Sequence, residues 1–205
     1  MTGAEAEPAT ATAPRLTPRV REIVATALAL LEEHGAEALT MRRLAERLGI
    51  RAPSLYKHLS GKDELETAVI AVGFEDLAAA LEQAAARGDR GRGAGQRLAG
   101  QRPGGQRLAG LGAAYREFAL GRPHLYRLMN ERPLNRDQLP PGVEDRAAAP
   151  LVAAVGGGPD LARAAWAFAH GMIMLELNQR FPPGADLDAA WRAGLAAVAA
   201  VAVAG

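Results

Sequence analysis

The sequence contains no cysteine and only two lysines and two serines among its 205 residues. The absence of cysteine excludes disulfide bonds and thiolate metal sites. Both serines, Ser54 and Ser60, fall in one short basic segment, and the four histidines lack the spacing of metal ligands. No glycine-rich phosphate loop follows a strand-like pattern. We therefore expect no catalytic site, no metal and no cofactor.

The sequence also lacks long hydrophobic runs and a leader pattern. The last apolar stretch, AGLAAVAAVAVAG, has only 13 residues, whereas about 20 are needed to span a bilayer. Residues 1–14, MTGAEAEPATATAP, have neither the basic start nor the apolar core of a signal peptide. We expect a disordered tail there and a soluble, cytoplasmic protein that makes no membrane contact.

Residues 39–62, LTMRRLAERLGIRAPSLYKHLSGK, carry the most specific local pattern. Thr40 can cap a first helix. Gly49 lies where that helix must end, and Pro53 suits the start of a second helix of about seven residues, 53–59. The first helix has one apolar stripe, and two further leucines point inward from the second: Met41, Leu44, Ala45 and Leu48, then Leu55 and Leu59. This layout is typical of a helix-turn-helix that places its second helix in the DNA major groove.

The charge distribution favours the same interpretation. Residues 15–62 contain seven arginines and two lysines against five glutamates, a net charge of +4, whereas the whole chain carries only +1. A basic patch on a nearly neutral protein suits contacts with phosphates. The alternative is that the patch is only the solvated face of a small helical domain.

Residues 17–65 resemble the DNA-binding domain of the TetR family of bacterial transcriptional regulators. The resemblance covers the first helix (TPRVREIVATALALLEEHG), the LTMRRLAERLGI segment and the string APSLYKHLSGKDEL. It implies a homodimer that binds a palindromic operator in double-stranded DNA and associates with the bacterial nucleoid when bound. It also implies a C-terminal ligand-binding and dimerisation domain, and repression that a small molecule relieves.

The resemblance also implies which side chains touch DNA. Tyr56, Lys62 and Thr40 correspond to phosphate contacts, and base readout falls to neighbouring polar residues because Ala52 offers only a methyl group. The DNA-binding candidates are Thr40, Arg42, Arg51, Ala52, Pro53, Ser54, Tyr56, Lys57, His58 and Lys62. Two alternatives stay open: Tyr56 could be a packed aromatic that covers the small core, and His58 could be merely exposed.

The pattern predicts an all-α fold of about nine helices. A helix-turn-helix domain at 15–62 precedes a ligand-binding and dimerisation domain at 63–205. A flexible loop is expected at about 88–107, where GQRLAG occurs twice among many glycines. Helices at 161–180 and 186–203 are apolar on more than one side, which favours a four-helix interface with a second copy.

The segment AAWAFAHGMIMLELNQRF resembles the Trp-x-x-x-His-Gly motif of one TetR C-terminal subgroup, carried by Trp166, His170 and Gly171. An apolar pocket between the long central helix and later helices would suit a small hydrophobic effector. Its candidate lining is Phe74, Tyr115, Phe118, Tyr126, Met129, Trp166, His170 and Met174. Each of these could instead be plain core, and His170 could be a structural histidine. The alternative function is a helical dimeric DNA-binding or scaffold protein without a ligand response.

Overall fold

The computed structural model describes residues 17–93, 103–156 and 158–204. Within these ranges the chain forms nine α-helices, two short 3-10 helices and no strand, which confirms the all-helical prediction. The α-helices are α1 (Pro18–His34), α2 (Met41–Arg47), α3 (Ala52–Leu55), α4 (Lys62–Gly93), α5 (Pro103–Gly121), α6 (Pro123–Asn130), α7 (Val143–Ala154), α8 (Pro159–Leu177) and α9 (Leu187–Ala204). The N-terminal tail predicted at 1–14 and the first GQRLAG copy lie outside the described residues.

Helices α1 to α3 and the first turns of α4, residues 17–69, form a small unit that we call the head. The Thr17 hydroxyl caps α1 by accepting the Val20 amide at 3.3 Å, and α1 ends at Gly35, whose φ of +79° suits glycine. Buried side chains from all four helices fill its core: Ile23, Val24, Ala27, Leu31, Leu39, Met41, Leu44, Ala45, Leu55, Leu59, Leu65 and Val69. This shared core fixes the direction of the short helices.

The rest of the chain, from residue 70 through α9, forms what we call the body. Helix α4 is its axis and packs most extensively on α5 and α7, and also on α6 and α1. Helix α5 packs in turn on α8 and α9, which also contact each other. The hydrophobic core is continuous from head to body. One continuous helix, α4, therefore belongs to both units.

Two predicted boundaries differ from the observed ones around the expected loop at 88–107. Helix α4 continues past Arg87 to Gly93, and α5 already begins at Pro103, so only residues 94–102 lie outside the described helices. An ion pair between Asp89 and Arg107, at 3.6 Å, joins the two helix ends. Extending a formed helix adds a hydrogen bond for each residue ordered, so the glycines at 88, 91 and 93 do not end α4.

Helix α3, the second helix of the helix-turn-helix, is also shorter than predicted. Regular α-helix covers only Ala52–Leu55, and residues 56–58 form a turn. The His58 amide bonds to the Leu55 carbonyl at 2.8 Å, the three-residue spacing of a tightened turn. The prediction of a seven-residue helix was therefore wrong, although residues 53–59 still form one continuous turn-rich segment.

No described helix combines the length and the apolar character needed to cross a membrane.

Candidate nucleic-acid interface and ligand cavity

Helix α2 is built as the sequence predicts. The Thr40 hydroxyl accepts the Arg43 amide at 3.3 Å and so caps the helix. Met41 and Leu44 are buried on the inner side, whereas the exposed Arg42 pairs with Glu46 at 3.0 Å. On the outer side of the head, Arg47 makes two bonds of 2.7 and 2.6 Å to Glu33 of α1. These bonds lower the pKa of Glu33 and clamp α2 onto α1.

The turn between α2 and α3 is set by Gly49, whose φ of +65° lies in the left-handed region. A Cβ atom added at Gly49 would meet no atom within 4 Å. Glycine is therefore favoured at this position by the backbone angle and not by a lack of space. Behind α3, Leu55 and Leu59 are 0% and 3% exposed. The inward anchors predicted from sequence are thus confirmed, and their burial turns the rest of the segment outward.

The outward surface carries most of the DNA-binding candidates. Tyr56 is 54% exposed, which rules against a packed aromatic role for it in the isolated chain. Ala52 and Ser54 are half-buried at the start of α3. The remaining candidates on this segment are fully on the surface: Arg51, Pro53, Lys57 and His58. No carboxylate in the described part of the chain pairs with Arg51 or Lys57, so their charges remain available to an anion.

Lys62 differs from the other basic candidates because it opens α4 and is half-buried. Its Nζ lies 3.4 Å from Oε1 of Glu66, one turn along the helix. Glu64 lies beside it and accepts the Ser60 amide at 2.6 Å, which holds the pKa of Glu64 below its usual value. The beginning of α4 is therefore fixed beside the exposed segment, with Lys62 as its first residue.

A cavity of about 670 Å³ lies between α4, α5, α6, α7 and α8, and Leu195 of α9 completes its lining. Five of the eight predicted lining residues face it: Phe74, Tyr115, Tyr126, Met129 and Trp166. The sequence analysis did not find two further parts of the lining. One is an aliphatic wall, formed by Leu77, Leu81, Leu108, Leu111, Leu151 and Val152. The other is a charged rim, formed by Arg132, Arg136, Glu144, Asp145 and Arg163. Leu77 and Leu81 follow Phe74 at helical spacing, and that stripe was the signal that could have found them.

The other three predicted lining residues lie outside the cavity wall. Phe118 is buried, with Arg122 stacked 5.7 Å from its ring centre. Met174 is partly buried and packs against the main core. His170 is half-buried and lies behind Tyr126. Which side of a packed helix meets empty space depends on the neighbouring helices, and the sequence carries no local signal for it.

A chain of hydrogen bonds runs along one end of the cavity. Trp166 Nε1 donates to the Tyr115 hydroxyl at 3.0 Å. The Tyr115 and Tyr126 hydroxyls lie 3.1 Å apart, and the Tyr126 hydroxyl is 2.8 Å from His170 Nδ1. A neutral imidazole protonated on Nε2 would let every donor point the same way, from Trp166 to His170. The histidine therefore has the partner that a buried imidazole needs.

The pKa directions agree with this chain of neutral groups. Burial raises the pKa of Tyr126, and the neighbouring Tyr115 raises it further. Burial likewise raises the pKa of Tyr115, partly offset by its hydrogen bonds. Burial lowers the pKa of His170 below its usual value of 6.5. Both phenols and the imidazole are thus held uncharged near neutral pH, and the cavity presents polar but neutral groups at this end.

Comparison with known proteins identifies both parts of the chain. Residues 23–69 match the family described as bacterial regulatory proteins of the tetR family, and residues 108–198 match the tetracyclin repressor-like C-terminal domain. An uncharacterised HTH-type transcriptional regulator of Mycobacterium tuberculosis is 30% identical over 164 residues, which cover 76% of this chain and 69% of that protein. The class C tetracycline repressor of Escherichia coli is 54% identical, but over only 43 residues, 21% of this chain and 20% of that protein.

Solved structures agree with these matches. A protein of unknown function from Rhodococcus sp. RHA1 is 26% identical with a TM-score of 0.70, covering 88% of this chain and 93% of that one. A TetR variant from Acinetobacter baumannii AYE, solved in complex with minocycline, is 23% identical with a TM-score of 0.58 over 91% of this chain and 96% of that one. With the two matched domains and the helical architecture together, the chain belongs to the TetR family of transcriptional regulators.

Proposed function

We propose that this regulator is a homodimeric repressor that binds a palindromic operator and leaves it when a small hydrophobic effector occupies the body. The observation that carries the proposal is the position of α4. Its first residue, Lys62, lies at the exposed basic segment, and its middle residues Phe74 and Leu77 form a wall of the large cavity. A ligand that favours one position of this helix thereby favours one position of the head.

On DNA, two copies of residues 53–59 would enter successive major grooves about 34–36 Å apart. The exposed Tyr56 and the half-buried Lys62, with Thr40, suit sequence-independent phosphate contacts. Base edges would be read by the polar groups that open and follow α3: Arg51, Ser54, Lys57 and His58. Ala52 and Pro53 would add apolar contacts, and Arg42 would reach the backbone from α2.

The second copy would dock on α8 and α9. These helices expose large apolar side chains: Trp166 is 47%, Leu175 is 42% and Val201 is 61% exposed. The rest of the exposed surface is rich in alanine, as at 164, 167, 193, 196, 197 and 200, and small side chains let helices approach closely. Four such helices related by a two-fold axis would bury this surface.

The cavity indicates the effector class. Its volume of about 670 Å³ lies within the range usual for small-molecule sites. Its walls are leucines, alanines and aromatic rings, with phenol oxygens at one end. An apolar molecule of modest size with one or two hydrogen-bonding groups would fit these walls. The Acinetobacter baumannii protein, solved in complex with minocycline, is a chain of similar fold that holds a small molecule.

The first experiment is a selection of binding sites from random duplex DNA with the purified chain. The proposal predicts recovery of a palindrome whose half-sites are one helical turn apart. Compounds that release the recovered duplex are then tested against Ala148→Trp. Ala148 is exposed on the cavity wall, so a bulky ring there should fill the cavity and abolish release while DNA binding persists. Absence of any enriched duplex would refute the proposed function, and release that survives Ala148→Trp would refute the assigned effector site.

A further inference from the structure

Glu66 is one of two carboxylates in the described ranges whose side chains are almost wholly buried, at 8% side-chain exposure beside 7% for Glu176. It lies on α4 one turn after Lys62. A buried carboxylate is costly unless cations and hydrogen bonds compensate it. The folded protein therefore has to keep cationic or hydrogen-bonding groups close to the Glu66 carboxylate.

The two oxygens of this carboxylate face different parts of the molecule. Oε2 accepts a hydrogen bond of 2.9 Å from Nη1 of Arg132. Oε1 lies 3.4 Å from Lys62 Nζ without forming a hydrogen bond. Arg132 follows α6 and forms part of the wall of the 670 Å³ cavity. One buried carboxylate thus contacts both a cation of the cavity wall and a cation at the predicted DNA surface.

The two contacts are unequal. The guanidinium of Arg132 makes a charge-assisted hydrogen bond to the carboxylate, which is the stronger of the two contacts. Lys62 is held only by a longer ionic contact, so its ammonium group can turn to a phosphate. If Arg132 were removed or captured by another anion, Lys62 would become the main counterion of Glu66. An ammonium bound to a buried carboxylate is less available to DNA.

We propose that Glu66 is a positioning residue for Lys62, and that Arg132 determines how tightly Glu66 holds it. The Arg132–Glu66–Lys62 triad then reports the state of the cavity wall to the DNA surface. This inference rests on the proposed function, because it takes Lys62 as a phosphate contact. It adds a specific electrostatic route to the mechanical route through α4.

The test is a double-mutant cycle with Arg132→Gln, Glu66→Gln and the double variant. Affinity for a 30-base-pair duplex is measured by fluorescence anisotropy across a salt series, and an arbitrary sequence suffices because phosphate contacts do not depend on sequence. Arg132→Gln should weaken binding at least about threefold, a coupling within the range seen for contacting charged residues. It should also reduce the salt slope by about 0.9 for each lost phosphate contact. When Glu66→Gln is already present, the same substitution should have no effect.

Arg146→Gln is the matched control. Arg146 also binds a carboxylate of α4, with two bonds of 2.8 Å to Glu82, but far along the helix from Lys62. Its loss removes the same charge and should leave DNA affinity within error. Equal effects of Arg146→Gln and Arg132→Gln, or an Arg132→Gln effect that persists in the Glu66→Gln variant, would overturn the triad.

A second cycle, with Glu66→Gln and Lys62→Ala, covers the case in which Arg132→Gln fails to fold, as judged by circular dichroism. Glu66→Gln should tighten DNA binding when Lys62 is present and have no effect when it is absent. Equal tightening in both backgrounds would contradict the positioning role. If the unmodified chain binds no duplex even at low salt, the proposed function itself fails, which is a different result from failure of either cycle.

Discussion

The head and the body arrange their proposed binding residues in opposite ways. In the head, the proposed DNA-contacting side chains point outward from a short segment that two buried leucines, Leu55 and Leu59, hold from behind. In the body, the proposed effector-binding side chains point inward, and six helices contribute to one cavity. The head is thus a surface defined by neighbours in sequence, and the cavity is a space defined by packing. The contrast explains why mutations in the two regions should have different consequences.

The largest effect is expected from removing the anchor of α3. Leu55→Ala should lower the free energy of unfolding by about 2–5 kcal/mol, the usual cost of such a core truncation, because Leu55 is fully buried. DNA binding should be lost, since a four-residue helix cannot hold its position alone. Chemical denaturation and anisotropy measure the two effects. The control is Leu120→Ala, at a leucine 39% exposed in the body, and equal destabilisation by both would contradict the assigned role of Leu55.

The packing of the body can be tested at Gly194. A methyl group there would lie 2.1 Å from the Phe168 ring, so either this ring must move or α8 and α9 must separate. Gly194→Ala should cost about 1–3 kcal/mol, as overpacking does, and weaken dimer formation if these helices form the interface. Gly110→Ala, where a methyl group meets nothing within 4 Å, should instead stabilise α5 by about 0.5–1 kcal/mol. Thermal unfolding of the two variants measures both effects. Stabilisation by both substitutions would show that α8 and α9 are not closely packed at Gly194.

The electrostatic character of the head can be tested with Tyr56→Ala combined with Lys62→Ala. The double variant should bind every duplex more weakly and show a flatter salt dependence, by about 0.9 for each lost phosphate contact. Its fold should be unchanged because Tyr56 is more than half exposed and Arg132 still pairs with Glu66 when Lys62 is removed. Affinities on the selected palindrome and on a scrambled duplex supply the measurement. A loss confined to the palindrome would mean that these residues read bases.

The smallest effect is a pH dependence from His170 in the body. Burial lowers the pKa of His170, so folding favours the neutral imidazole. This stabilisation is fully present above the unfolded value of about 6.5 and is lost as the pH falls below it, because the unfolded chain then binds the proton more readily. His170→Gln should reduce the drop in melting temperature between pH 7.5 and 5.5. If the melting temperature of His170→Gln falls as much as that of the unmodified chain, the pH dependence comes from other groups.

Local physics made the head predictable from sequence. The Thr40 cap, the Gly49 turn and the inward leucines each depend on residues within a few positions. What failed there was the length of α3, because a tightened turn follows Leu55 instead of another helical turn.

The body was predictable only in part. Helical periodicity puts Leu108, Leu111, Tyr115 and Phe118 on one face, and all four are buried. It could not decide which of them meets the cavity, and Phe118 does not. Nor could it pair Arg132 with Glu66, 66 positions apart, since that contact depends on how α6 crosses α4. Long-range geometry of this kind follows from packing and has no local signature.

The most direct measurement of the central claim is the stoichiometry of the DNA complex. Analytical ultracentrifugation of the purified chain with the selected palindrome should give two copies on each duplex and one dimer in free solution. Addition of a releasing compound should return the same dimer and free duplex. A monomer that binds a single half-site with full affinity, or a dimer that ignores every duplex at low salt, would contradict the account.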